Sequence, residues 1–419
     1  MSEANRAVEA IWRIEQAKLI AGLARVTRDV ALAEELAQDA LVAALETWPQ
    51  SGVPERPGAW LMAVARRRAI DAHRRAAMLQ RKHEALEQES EAHHTPDFDT
   101  ALDEEIGDDL LKLVFVSCHP VLAREARAAL TLRLIGGLTT EEIARAFLSN
   151  EPTIAQRIVR AKRTLKDKEI AFEVPRGAAL AERLSSVLEV IYLIFNEGYS
   201  ATAGDDWMRP QLCEEALRLG RMLAALAPGE PETHGLVALM AIQASRLRAR
   251  TGADGEPILL MDQNRARWDG MLIRSGLDAL ARAEQSAAAI GAAPGTYMLQ
   301  AQIAACHARA RTPEETDWAR IVLFYDALAA ASPSPVVALN RSVAVGMAHG
   351  AQAGLDALNA LAGEPSLQGY HLLQAVRGDL LQKLGRFEDA RAAFEAAAAL
   401  TRNARERTLL LKRAADCGA

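Results

Sequence analysis

The chain has 419 residues, a net charge of −6 at neutral pH and a pI of about 5.9. This length predicts two or three domains, and the acidic balance excludes a protein that coats nucleic acid over its whole surface, leaving only localised contacts. Half of the residues are hydrophobic but only 5% are aromatic, and Ala, Leu, Arg and Glu dominate, which favours packed helices over sheets. We therefore predict an all-α protein.

Membrane and disulfide classes find no support in the sequence. No stretch approaches the ~20 uncharged apolar residues of a membrane span, and the first residues lack the apolar core of a signal peptide. The four cysteines, Cys118, Cys213, Cys306 and Cys417, are widely spaced and form no CxxC or paired-His pattern. We expect a cytoplasmic protein with free, buried thiols, no metal and no cofactor.

The first strongly periodic segment is a predicted helix over residues 29–45. Its apolar stripe is formed by Leu32, Leu36, Ala40 and Ala43, and its outer face is acidic. Trp48-Pro49 is expected to end this helix, and the prolines after it to hold a short extended loop. The next helix is predicted to open at Ala59.

That next helix is basic over residues 64–75, which include Arg66, Arg67, Arg74 and Arg75. Local positive charge on a helical face is the electrostatic footprint of a duplex-binding protein, and net charge can conceal it. The alternative is a merely solvated arginine face. Trp48 and Trp60 flank the loop before this helix, where they could capture unstacked bases or close the helix junction as core residues.

An acidic run separates this part from the next. Residues 84–109 contain eleven Asp or Glu and no Lys or Arg. We interpret residues 84–108 as a flexible linker, which either repels DNA between two basic modules or serves only as a solvated tether.

A helix-turn-helix pattern follows the linker. Thr139 precedes an apolar-periodic segment with Glu142 three residues on, the signature of a capping box, and Pro152 stands where a first helical turn tolerates a missing N–H. The second helix, residues 154–165, has an apolar stripe of Ile154, Ile158, Ala161 and Leu165. Its outer face carries Thr153, Gln156, Arg157, Arg160 and Arg163. Gln and Arg can read purine edges in the major groove, although any αα-hairpin with an exposed basic helix shows the same pattern.

The remaining residues, 173–419, predict a helical-repeat domain. Within residues 370–402, Gly378, Ala390, Phe394 and Ala397 match the small and aromatic positions of a tetratricopeptide (TPR) repeat, with residues 384–386 at the turn. Weaker echoes appear in residues 216–247 and 353–361. Stacked repeats of this type form a solenoid with a concave face; plain helical packing without a groove is the alternative.

The order of these parts is more specific than any one of them. An acidic-faced helix, a Trp-Pro loop, a basic helix, a linker and a basic helix-turn-helix resemble the two-domain core of extracytoplasmic-function sigma factors, the bacterial initiation subunits of RNA polymerase. The resemblance covers roughly residues 10–170. It implies domains at residues 1–83 (region 2) and 109–172 (region 4), joined by the linker at residues 84–108.

The resemblance also implies roles for individual residues. Core RNA polymerase, through the clamp helices of its largest subunit, would be bound by Leu36, Gln38 and Asp39. The minus-ten promoter element would be held by Trp48, Trp60, Arg66, Arg67, Arg74 and Arg75. The minus-35 element would be read by Thr153, Gln156, Arg157, Arg160 and Arg163. The turn position that often holds Gly in such motifs is Leu148 here, a departure that affects which side chains reach the bases.

Residues 173–419 are similar to the C-terminal extension of one subgroup of these factors, which carries a tetratricopeptide-like domain thought to replace a separate anti-sigma protein. This implies regulation in cis and a protein partner on the extension. The residues singled out in it are Tyr199, Asp262, Arg265, Trp268, Gly378 and Phe394. Residues 196–200 and 253–269 interrupt the helical rhythm, and their polar side chains could instead form a catalytic pocket, although no nucleophile-base arrangement is visible.

Three functions remain open at this point. A sigma factor predicts stable binding to core polymerase and weak DNA binding alone. A free-standing helix-turn-helix regulator with a helical-repeat sensor predicts tight, specific DNA binding without polymerase, usually as a dimer. An enzyme targeted to DNA by its N-terminal part would need a cofactor or metal, for which the sequence offers no ligand set.

Overall fold

The structure is a computed structural model that describes residues 3–84, 106–147, 149–200, 208–252, 255–401 and 403–418. The protein is all-α, as predicted. Its described part contains no β-strand, only one isolated antiparallel bridge between Thr251 and Pro257. The chain forms two compact units, residues 1–190 and residues 191–419.

Among its described residues, the first unit contains seven whole helices and the first part of an eighth. They are α1 (Glu3–Thr27), α2 (Val30–Ser51), α3 (Pro57–Glu84), α4 (Ile106–Ser117), α5 (Arg124–Leu134), α6 (Thr140–Ala146), α7 (Glu151–Asp167) and α8 (Ala178–Tyr199). The two units divide within α8, between Val190 and Ile191. The predicted linker falls mostly on residues 85–105, which lie outside the described residues, as does Leu148.

The first unit has a shared core rather than two separate ones. Helix α1 packs on α2 and α3, and also on α4. Its buried side chains include Ile20 and Leu23. Arg25 of α1 forms an ion pair with the buried Asp109 of α4, with 3.0 Å between Nε and Oδ2. The segments before and after the linker therefore pack against each other.

Helix α2 runs further than the sequence predicts. The expectation that Trp48-Pro49 ends it is wrong, because the helix continues through Pro49 to Ser51. A proline in the last turn removes only one internal hydrogen bond, and the chain leaves the helix at Gly52, which has φ of 80° and donates its N–H to the Trp48 carbonyl. Helix α3 correspondingly begins at Pro57, two residues before Ala59, since proline suits a first helical turn.

The second unit contains the rest of α8 and ten further helices among its described residues. They are α9 (Pro210–Leu226), α10 (Pro231–Ala244), α11 (Gly270–Ala289), α12 (Thr296–Arg309), α13 (Trp318–Ala331), α14 (Pro335–His349), α15 (Ala351–Asn359), α16 (His371–Lys383), α17 (Phe387–Leu400) and α18 (Ala404–Asp416). Most of them pack on the next helix along the chain, as stacked helical hairpins do. Three short 3-10 turns interrupt this order between α10 and α11.

The predicted repeat at residues 370–402 forms a close helix pair. Phe394 of α17 is fully buried, and its ring lies against Gly378 of α16 so closely that a Cβ on Gly378 would be 2.6 Å from Cε1. Gly385 has φ of 74° in the turn between the two helices. The residue pattern therefore identified a close approach of two helices that requires a glycine at one position.

The cysteines are free thiols. Cys118, Cys213 and Cys306 are buried, as predicted, whereas Cys417 is only half-buried. No described helix is both long and apolar enough to cross a membrane. Among the described residues, no group of His, Cys, Asp and Glu side chains is arranged to hold a metal ion.

Candidate nucleic-acid and polymerase interfaces

The helix-turn-helix begins with two well-defined caps. The capping box of α6 is present: the Thr139 N–H donates to Glu142 Oε2 at 2.8 Å, and the Glu142 N–H donates to Thr139 Oγ1 at 3.1 Å. At α7, the Asn150 side chain accepts a hydrogen bond from the Thr153 N–H at 2.8 Å, and Pro152 lies in the first turn. These local bonds fix where the basic helix starts, and hence which of its residues face outward.

The two faces of α7 are those that the sequence predicts. Its buried residues are Ile154, Ile158, Ala161 and Leu165. Of the proposed DNA-reading side chains, Thr153, Gln156, Arg160 and Arg163 are exposed and Arg157 is half-buried. The structure thus brings these five residues together on one surface of the helix. Their contacts with DNA stay a prediction.

The sequence did not single out Val159 as a residue of this surface. Val159 is 63% exposed, although it is apolar and stands in a stable helix. It lies on the exposed side of α7, beside Gln156, where an apolar side chain can contact a thymine methyl group. The sequence signals this exposure, because Val159 does not fit the four-three-four spacing of the buried residues of α7.

The C-terminal half of α7 makes a second kind of contact, with α2. Lys162 Nζ forms an ion pair with Glu34, and Lys166 Nζ lies 2.7 Å from Asp29 Oδ2. Asp29 also caps α2 by accepting hydrogen bonds from the Ala31 and Leu32 N–H groups. Two lysines of the basic helix are therefore bound to the first unit's own carboxylates.

Glu34 is the centre of this contact and is 3% exposed. Its carboxylate accepts hydrogen bonds from Arg133 Nε of α5 at 2.7 Å and from Gln38 Nε2 at 3.0 Å, besides the pair with Lys162. A buried carboxylate is tolerated only when it is paired in this way. The prediction that the acidic face of α2 is an outer face is therefore wrong at Glu34, because α5 and α7 cover it.

The three residues proposed to bind polymerase have different surroundings. Gln38 is exposed, and Asp39 is half-buried and pairs with Arg68 of α3, with 3.1 Å between Oδ1 and Nη1. Leu36 is 3% exposed and belongs to the core. Gln38 and Asp39 are thus accessible to a partner, whereas Leu36 supports the helix from within.

The two tryptophans beside the loop contact each other. Their ring centroids lie 5.4 Å apart in an edge-to-face arrangement, which stabilises aromatic pairs. Trp48 is 2% exposed, and its indole Nε1 is buried without a hydrogen-bond partner among the described residues. Trp48 therefore closes the junction of α2 and α3 as a core residue, while Trp60 is half-buried and remains accessible at one side.

The arginines of α3 are described in part. Arg67 is exposed and Arg66 is half-buried, while Leu61, Ala65 and Ala69 form the buried face. The side chains of Arg74 and Arg75 lie outside the described residues. Arg67 thus lies on the side of α3 that faces away from the core, whereas Arg66 is partly covered.

In the second unit, the residues singled out from the sequence form a cluster of arginines and aromatic rings. Arg265 lies 5.0 Å from the ring centroid of Trp268. Arg246 lies 5.7 Å from the ring of Tyr199 and 5.8 Å from that of Trp268, and so links the two. Asp262 is exposed and takes no part, and Gly378 and Phe394 form their own pair elsewhere in the unit.

Arg265 also fixes the loop that follows α12. Its Nη1 donates to the carbonyls of His307 and Ala310, both at 2.7 Å, and its Nη2 donates to Thr316 Oγ1 at 3.1 Å. The residue that the sequence suggested for a pocket therefore has a structural role beside its aromatic contact.

Three family models match parts of the chain. Residues 12–78 match sigma-70 region 2, residues 113–165 match sigma-70 region 4, and residues 183–284 match a family of unknown function, DUF6596. An uncharacterized protein of Rhizobium meliloti (strain 1021) is 44% identical over 389 residues, which cover 92% of this chain and 89% of the relative. No solved structure matches the chain.

Proposed function

This chain belongs to the sigma-70 family as a sigma factor of the extracytoplasmic-function type, and we propose that its C-terminal unit regulates it in cis. Such factors are not enzymes; they bind core RNA polymerase and promoter DNA to start transcription. The match of residues 12–78 to region 2 favours a sigma factor over a free-standing helix-turn-helix regulator, because a regulator of that kind needs no polymerase-docking domain.

Within this family we assign the surfaces described above to its two known partners. Gln38 and Asp39 would bind the clamp helices of the largest polymerase subunit, with Leu36 supporting them. Trp60 and the arginines of α3 would hold the minus-ten element, and the outer face of α7 would read the minus-35 element. The same assignment divides the chain at residues 1–83, 84–108, 109–172 and 173–419.

The observation that carries cis regulation is the sharing of α8 between the two units. In the first unit, the Ser186 hydroxyl donates to the Cys118 carbonyl at 2.6 Å, and Arg183 Nη2 donates to the Phe115 carbonyl at 2.7 Å. Glu189 forms ion pairs with Arg124 and Arg127 of α5, at 3.1 and 3.4 Å. The first half of α8 is therefore bound to the region 4 domain.

The second half of α8 is part of the core of the C-terminal unit. Ile191, Ile194 and Phe195 are buried there. Gly198 approaches α9 so closely that a Cβ would lie 2.7 Å from the Cys213 nitrogen. A change in the packing of this unit would thus act on the same helix that is bound to the DNA-reading domain.

Run-off transcription with core RNA polymerase on a genomic promoter pool tests this proposal. The full chain is compared with a chain that ends after Ser200 and so keeps the whole of α8. We expect both forms to bind polymerase and to start transcripts at the same sites, but with different yields. Equal yields from the two forms would contradict regulation in cis, and failure of both to bind core polymerase would contradict the assigned polymerase surface.

A further inference from the structure

The C-terminal unit contains a cavity of about 580 Å³ that no surface discussed so far uses. It lies among α8, α10, α12, α13 and α14, and the turn at Leu260 closes part of it. The volume is within the range of roughly 300–1,000 Å³ that small-molecule sites have in proteins. Tyr192, Tyr297 and Tyr325 supply aromatic surface, together with several aliphatic side chains.

The charge of the cavity is one-sided. None of its described lining residues is Asp or Glu, whereas Arg246 lines it and carries a permanent positive charge. His307 also lines it, and burial, together with the charges of Arg246 and Arg265, lowers the pKa of His307 to about 4. At neutral pH the imidazole is therefore uncharged, and Arg246 alone sets the sign of the charge in the lining.

No carboxylate among the described residues pairs with the guanidinium of Arg246. Tyr199 and Trp268 lie beside it, and its Nη2 donates to Gln243 Oε1 at 2.9 Å. Its Nε and the Nδ1 of His307 are buried polar atoms without a hydrogen-bond partner among the described residues. Because buried polar groups are normally hydrogen-bonded, the Nε–H of Arg246 marks a place where an acceptor is needed, and Nδ1 of His307 a place where a further polar partner is needed.

The remaining polar groups of the cavity are neutral. Burial raises the pKa of Tyr192 and raises that of Tyr325 to about 12, so both keep their hydroxyl protons at neutral pH. Tyr192 Oη donates to Gln300 Oε1 at 3.0 Å. Neutral hydroxyls and amides around one fixed cation suit a ligand with a single negative charge and a largely apolar body.

We propose that this cavity binds a small aromatic carboxylate, with the carboxylate on Arg246 and the ring among the tyrosines. A carboxylate fits the planar guanidinium through paired hydrogen bonds. An aromatic ring stacks on or packs edge-on against Tyr side chains. Since Tyr192 lies on α8, binding here would act on the helix shared by the two units; that consequence rests on the proposed cis regulation, whereas binding does not.

Calorimetric titration of the full-length chain tests the proposal. The probes are benzoate, salicylate, 4-hydroxyphenylacetate and indole-3-acetate, each paired with its uncharged primary amide. We expect saturable binding of at least one carboxylate, with its amide weaker by about tenfold or more. Binding of none of the four, or equal binding of acid and amide, would overturn the proposal.

Three variants locate the site. Arg246→Gln removes the charge but keeps a hydrogen-bonding group, and should weaken binding of the acid by about tenfold or more. Ala304→Leu fills the cavity from α12 without touching any charge, and should abolish binding. Arg248→Gln changes an exposed arginine two residues away, outside the lining, and should leave binding unchanged. Retained binding in both cavity variants would place the ligand elsewhere and overturn the assignment.

Three further outcomes distinguish the small-molecule site from a peptide site and from the proposed cis regulation. Binding of a short peptide through its C-terminal carboxylate, with no binding of the aromatic acids, would replace the small molecule by a protein partner and overturn the proposal. If an aromatic acid binds but leaves run-off transcription unchanged, the site stands and its link to cis regulation fails. If truncation after Ser200 changes transcription but no acid binds, only the present proposal fails.

Discussion

Buried charge is handled in opposite ways in the two units. At the contact of α2 with α5 and α7, the buried carboxylate of Glu34 is matched by Arg133 and Lys162. In the C-terminal unit, Arg246 and Arg265 are matched by the rings of Tyr199 and Trp268 and by backbone carbonyls. The first arrangement neutralises its charge, and the second keeps a positive charge available.

This difference indicates what each region can do. Lys162 and Lys166 are already paired with carboxylates of α2, so each must leave its ion pair before it can bind another anion. Arg246, which lies beside aromatic rings, pairs with no described carboxylate, and so can receive an anion at lower cost. The first region is thus suited to holding α2 against α5 and α7, and the second to receiving an anion.

The largest expected effect comes from removing the buried carboxylate. Glu34→Gln leaves Arg133 and Lys162 facing each other without a counter-charge, and should lower the free energy of unfolding by about 3 kcal/mol. Glu35→Gln is the matched control, since Glu35 is the exposed neighbour on the same helix. Urea unfolding of both full-length variants provides the measurement. Equal losses in the two variants would mean that the Glu34 pairs contribute no more than surface charge.

Replacing Arg265 in the C-terminal unit should lower the free energy of unfolding somewhat less than Glu34→Gln does. Arg265→Ala loses three hydrogen bonds and the stacking on Trp268, which together suggest a loss of about 2 kcal/mol. Arg265→Lys should restore little, because an ammonium group cannot reproduce the planar fork of donors. Arg267→Ala, an exposed arginine in the same turn, is the control. Equal losses of melting temperature in Arg265→Ala and Arg267→Ala would refute the structural role of Arg265.

An uncharged contact gives the third prediction and separates packing from charge. Gly378→Ala places a Cβ against the Phe394 ring, so the buried helix pair must shift to make room for it. This should lower the free energy of unfolding by about 1–2 kcal/mol. The control is Gly363→Ala, where a Cβ meets nothing within 4 Å. We expect a lowered melting temperature for the first variant alone. An unchanged value for Gly378→Ala would show that Phe394 moves freely.

The sequence predicted features that depend on neighbours along the chain. The capping box at Thr139, the four buried residues of α7 and the turn at Gly385 all follow from spacing of a few residues, and the structure contains each. The all-α class follows from composition in the same way.

Features that join distant segments were not predictable. Glu34 is 99 residues from Arg133 and 128 from Lys162, and nothing near Glu34 distinguishes it from the exposed Glu35. The position of Arg246 beside Tyr199 likewise depends on how helices pack, not on a local pattern. The sequence therefore does not single out Arg246. It indicates Tyr199, Arg265 and Trp268 only as polar or aromatic residues in irregular segments.

The smallest expected effect concerns the outer pair of the α2–α7 contact, Asp29 with Lys166. Burial alone would raise the pKa of Asp29, but the hydrogen bond from Lys166 and the two backbone N–H groups outweigh it and hold that pKa below its ordinary value of 3.8. A carboxyl with a lowered pKa contributes stability that is present above the ordinary value and is lost as pH falls through the folded value. Because Lys166 is largely exposed, its share is less than about 1 kcal/mol and falls with added salt.

Lys166→Gln should therefore be slightly less stable than the native chain at pH 7 and low salt, with a smaller difference at high salt. The difference should also shrink below pH 4, where Asp29 begins to accept a proton; Lys168→Gln, an exposed lysine beyond the contact, should show neither dependence. A Lys166→Gln difference that is independent of both salt and pH would mean that the two helices are held by Glu34 alone.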